Sequence, residues 1–181
     1  MKWGKKMLFL LLAASFFVGL FADVTKADGG ANFGKVNLEA IDGTGLIKLN
    51  GTTVENNVHV VGSLIANNGK IGSLNVVGEA NLTEVIVAGG GAVMGSFQAV
   101  RSTIEKPITL LSQRAVITNS KLAGITVKQD SAFKGKQVIE LRRGTLVDGP
   151  IHFESGKGEV LLYPGSQVLG PITGGKVIKK S

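Results

Sequence analysis

The sequence predicts an all-β protein built as a single-stranded parallel β-helix, a β-solenoid of about eight coils of 16–21 residues each. Three observations predict it. An apolar motif recurs at intervals of 16 and 17 residues. The local alternation inside each copy has period two, the half-buried strand pattern. The composition carries 26 glycines among 181 residues, only four prolines and no cysteine. Many short strands joined by tight glycine turns suit that mixture.

The elements follow in chain order. Lys2, Lys5 and Lys6 precede an apolar run over Met7–Ala22, and small residues follow it. That order predicts a secretory signal peptide over residues 1–27, cut after Ala22 or Ala27. The run is shorter than the roughly 20 residues of a spanning helix, so no stable membrane span is expected after cleavage. Residues 28–45 read as an N-terminal lead-in or cap, and residues 46–181 as the solenoid domain.

Self-similarity sets the solenoid. Val60-Val61-Gly62-Ser63-Leu64 continues to Ile71, Val76-Val77-Gly78-Glu79-Ala80 to Val87, and Val93-Met94-Gly95-Ser96-Phe97 to Ile104. The inward columns are then Leu64, Ala80 and Phe97, and Ile71, Val87 and Ile104. Ala115, Ile117, Leu122, Ile125 and Val127 form a worn fourth copy, 17 or 18 residues after Phe97, Ala99, Ile104, Ile108 and Leu110. The last pair, Val138 to Ile151 and Val160 to Ile172, repeats at 21 residues. Strands of three to five residues are expected, stacked in parallel at ~4.8 Å. Asp42-Gly43, Asp148-Gly149 and Gly89-Gly90-Gly91 read as turns between them. A six-residue period is absent, which favours a right-handed helix, the usual crossover hand.

The Val/Ile columns, the coil length and the run Gly165-Ser-Gln-Val168-Leu-Gly170-Pro-Ile172 resemble bactofilins over residues 46–178. The resemblance implies a right-handed parallel β-helix that joins end to end into filaments. The export signal departs from that family, whose members are cytoplasmic.

Residue chemistry gives no catalytic site. Without cysteine there are no disulfides, thiolate metal sites or Cys nucleophile. His152-Phe153-Glu154 has the spacing of a zinc-deaminase half-motif but lacks its Cys pair. His59 and His152 lie between apolar residues and are expected to point outward. The acidic residues are spread among coils without the carboxylate pair a glycosidase needs. The glycine clusters fail the dinucleotide and P-loop patterns. No cofactor, metal or catalytic residue is therefore expected.

With a cut after Ala27 the mature chain holds 16 basic and 12 acidic residues. Its lysines are scattered and its aromatics few, unlike a nucleic-acid surface. Recurring asparagines, such as Asn67, Asn75 and Asn81, suit amide ladders or plain turns. The expectation is a non-catalytic exported scaffold, periplasmic, secreted or on the cell surface. Its partners would be itself, end to end through Val160, Leu162, Val168, Ile172 and Ile178, or an envelope glycan or another exported protein. The alternatives are a surface binding module and, behind it, a polysaccharide-active enzyme.

Overall fold

The computed structural model describes residues 24–181, and all regular structure among them is β. The expected signal peptide lies almost entirely outside the described residues. Every strand pairing is parallel, and together the strands form one sheet wound into stacked coils. The first face of the coil begins at Thr25, Ile41, Val58, Leu74 and onward in register to Ile172. These heads mark nine coils, one more than expected. The extra coil lies at the front. Thr25–Ala27, Ala31–Phe33 and Asn37–Leu38 pair with the next coil on all three faces. The segment read as a lead-in is thus the end of the first coil and the start of the second.

The expected columns are the observed ones. Leu64 stacks on Ala80 and Ala80 on Phe97, while Ile71, Val87 and Ile104 align on the third face. All five matches of the worn fourth copy are strand partners. So are Val147 and Val168, and Ile151 and Ile172. Their inward side chains form one continuous core from Ala27 to Val160, with Phe97 and Phe153 its largest fully buried members. Each coil contributes one slice, so no coil buries its apolar face without neighbours.

Two corners explain where the strands bend. At the first, Gly45, Gly62, Gly78 and Gly95 stack in register with φ of +84°, +140°, +134° and +130°. A Cβ on Gly78 would lie 1.9 Å from the Gly62 carbonyl oxygen, and one on Gly95 2.0 Å from that of Gly78. Glycine lets the backbone turn there without breaking the ladder. The result is strands of 15, 14 and 15 residues over Thr53–Asn67, Lys70–Thr83 and Ile86–Val100, not the three to five expected. Asp42-Gly43 lies on the first face, and Gly89–Gly91 at the register shift where the third face passes into the next coil's first, so both lie inside strands and are not turns.

At the second corner a left-handed residue occurs in six consecutive coils: Gly51, Asn68, Glu84, Arg101, Asn119 and Arg143. Its side chain points to solvent, so the position accepts very different chemistry. The corner's interior carries buried hydroxyls. Ser102 Oγ accepts from the Val85 N–H at 3.1 Å, Ser120 Oγ from the Ser102 N–H at 3.0 Å, and Ser166 Oγ from the Thr145 N–H at 3.2 Å. Each hydroxyl accepts from a backbone donor of the preceding coil; the Thr145 N–H also reaches the Arg142 carbonyl at 3.3 Å.

The regular period of 16 or 17 residues breaks over two coils, one of 26 residues from Ile125 and the next of 21 from Ile151. Between Val127 and Val138 the first corner is replaced by an outward loop, which lengthens that coil to 26 residues. Gln137 anchors the loop. It is 2% exposed, and its amide donates to Lys128 O at 2.8 Å and Ser112 O at 3.1 Å.

Candidate functional site

The features available for function are the outer faces and the two ends of the rod. On the first face, His59 and His152 project outward between inward neighbours, as alternation requires. His152 Nδ1 lies 2.7 Å from Thr173 Oγ1 of the next coil. Among the described residues no three His, Asp or Glu side chains converge on a point that could hold a metal ion.

Five carboxylates meet cations of adjacent coils. Glu84 pairs with Arg101 at 2.7 Å and Asp148 with Lys121 at 3.0 Å. Glu140 is buried on the second face between Arg114, at 2.6 Å, and Arg142. Its hydrogen bond raises the Arg142 pKa, and the Arg142 guanidinium lies over the Tyr163 ring at 5.0 Å. The Lys128 ammonium, by its hydrogen bond, holds Glu154 below the ordinary carboxylate value. Glu159 is lowered likewise, first by Lys136 at 2.6 Å and then by Lys176 at 3.5 Å. These pairs tie coil to coil, and solvent-exposed ones of this kind contribute little each.

Lys136, Lys157 and Lys176 also rim a shallow groove with four glycines in its wall. Two of those glycines have a packing reason. A Cβ on Gly158 would lie 2.1 Å from the Phe153 ring, and one on Gly175 2.8 Å from it.

Charge divides along the rod. Residues 24–111 carry six basic and seven acidic side chains, whereas residues 112–181 carry eleven and five. The net charges are −1 and +6, so the C-terminal half is the basic one.

The five residues expected to mediate self-association occupy the last two coils, on different sides. Val160, Leu162, Val168 and Ile172 stand in inward columns. Val160 is fully buried because Val177 of the final strand covers it. Ile178 aligns with Leu161 on the outer surface, away from the core. The inward residue that ends its column is Val177, 43% exposed, which pattern reading passed over. Its signal was its spacing of 17 from Val160. The final strand Gly175–Lys179 pairs only with Gly158–Leu162 among the described residues, so its other edge is open.

The amide ladders are real, on residues only partly anticipated. Asn67 Nδ2 donates to Asn50 Oδ1 at 3.1 Å and Asn50 Nδ2 to Asn32 Oδ1 at 3.0 Å. Compared with protein-family models, with curated proteins and with solved structures, the chain finds no match in any of the three.

Proposed function

We propose that the chain is a non-catalytic, exported structural rod that associates end to end through its C-terminal coil. One observation carries the reading: the final strand ends with an open edge and with Val177 exposed above the core. An unpaired edge over an apolar slice is a template for another strand. The N-terminal coil offers the complementary edge, since Thr25–Ala27 pairs on one side only among the described residues. A head-to-tail contact of this kind does not close on itself and yields filaments. Filaments of the bactofilin type are the finer form of the proposal. The basic residues Lys176, Lys179 and Lys180 at that edge set a limit on its strength.

Sedimentation velocity across a concentration series, with electron microscopy of the same samples, tests the association. Rods in multiples of ~40 Å are expected, from about nine coils at the strand spacing. Strict monomer at high concentration removes the idea. Export is tested separately, by mass spectrometry of the N terminus after cell fractionation. A chain starting at Asp23 in the exported fraction is expected, because it keeps the Thr25–Ala27 edge; a start at Asp28 removes that edge and counts against the head-to-tail contact, and an intact Met1 in the cytoplasm counts against export.

The charge division favours a second reading, a binding module for an anionic envelope polymer. Retention on an anionic glycan matrix that vanishes with salt, and that is lost on neutralising Lys157 and Lys176, would distinguish it.

A further inference from the structure

A finite aliphatic stripe runs along the first corner. Val61, Val77 and Met94 stack in register on the outer surface, 47%, 43% and 50% exposed, followed by half-buried Leu111. Leu46, 42% exposed, flanks Val61 across the corner. The corner between them is glycine, so no side chain shields the stripe from that direction. It is bounded by polar residues in the same column: Thr44 aligns with Val61, and Lys128 follows Leu111 one coil later. Every other outward column along these coils is polar or mixed. A contiguous exposed apolar patch of this kind marks an interaction surface.

We propose that this stripe is the contact of a lateral, antiparallel dimer, formed with a second copy of the chain around Val77. The proposal goes beyond end-to-end association and uses a different surface. Two features select the occupant and its orientation. A partner must present apolar groups in a straight line at the ~4.8 Å coil pitch, which this rod itself does. Charge then decides direction. Stripe against stripe places the two −1 halves together in either orientation. A parallel pair would also set the two +6 halves side by side. The antiparallel pair sends them to opposite ends, separated by ~40 Å, several times the Debye length of ~8 Å at physiological salt. The stripe spans ~20 Å, so the contact lies at the small end of specific interfaces. Half-dimerisation is expected at roughly 100 µM.

The chain has no cysteine, so single-cysteine variants place one spin label per protomer. Ala92→Cys lies one coil from Val77, and Thr173→Cys five coils away. Sedimentation equilibrium measures the dimer, and double electron–electron resonance its orientation. The antiparallel dimer gives axial separations of ~10 Å between labels at 92 and ~48 Å at 173. A parallel dimer gives short distances at both positions and overturns the proposal. Val77→Lys should weaken the dimer at least tenfold, while Val177→Lys at the open end leaves it unchanged. Val77→Thr keeps the β-branched shape and should weaken it less, and its result decides the matter if Val77→Lys does not fold. A monomer at 1 mM, or a dimer indifferent to both Val77 substitutions, sinks the proposal.

Discussion

Gly78→Ala should be among the most damaging single substitutions in the rod, and its cost can be worked from the corner geometry. Two effects add. The residue has φ of +134°, a region open essentially to glycine alone, and holding alanine there costs about 1–3 kcal/mol. The new Cβ would lie 1.9 Å from the Gly62 carbonyl oxygen, over an ångström inside ordinary contact. The oxygen is backbone, held by coils on both sides, and cannot swing away as a side-chain tip would. Relief requires prising two coils apart at the corner and losing one or two ladder hydrogen bonds, each about 1 kcal/mol. The total is about 2–5 kcal/mol. Gly144→Ala is the control. Its φ is +78°, but the nearest atom to its Cβ is 3.9 Å away, so it carries left-handed strain alone, about 1–2 kcal/mol. Urea unfolding followed by circular dichroism measures both. The reasoning fails if the two variants unfold within about 0.5 kcal/mol of one another.

Ser102→Ala removes the acceptor of the buried Val85 N–H and should cost about 1–3 kcal/mol by the same urea assay, against near zero for exposed Ser96→Ala. Phe153→Ala should cost about 3–5 kcal/mol by leaving a cavity under Gly158 and Gly175, read as a drop in the urea midpoint. Acid should destabilise the C-terminal coils. Glu154 and Glu159 are held below the ordinary 4.5 by their lysines, so the unfolded chain takes up these protons at higher pH than the folded one. Their contribution is complete above pH 4.5 and is lost as pH falls through the lowered folded values. Carbon-detected carboxyl titration checks the direction, and a Glu159 midpoint above 4.5 would refute the assignment.

Much of this architecture was legible because inward positions are constrained every second residue and again every coil. Leu64, Ala80 and Phe97 announce a column although their sizes differ, since all three are apolar at one spacing. The first coil was harder to see. Its inward residues Ala27, Ala31, Phe33 and Leu38 are few, and the front of that coil falls within the signal-like segment. The second corner was invisible for a different reason. Backbone geometry is shared there while the side chains face water, so Glu84, Arg101 and Asn119 occupy one left-handed site without resembling each other. The buried Ser102 and Ser120 look in sequence like ordinary loop serines. Strand lengths were misjudged because glycine usually ends strands. Here its missing Cβ lets a strand turn a corner intact. The stripe of Val61, Val77 and Met94 was hidden inside the repeat motif itself, where one residue of each apolar pair faces in and the other out.

The in-register corners have a consequence for how such a chain changes length. From Val58 to Ile125 the coils meet their neighbours through the same glycine bend, the same left-handed residue or the same apolar columns. Duplicating residues 74–90 would reproduce each of those junctions and raise the molecule by one strand spacing, ~4.8 Å, leaving both termini as they are. Deleting them would lower it by the same step. The chain behaves as a gauge graduated in single strands, on which reach can be reset by copying one short stretch of gene. The 26-residue coil and the 21-residue coil after it interrupt the scale.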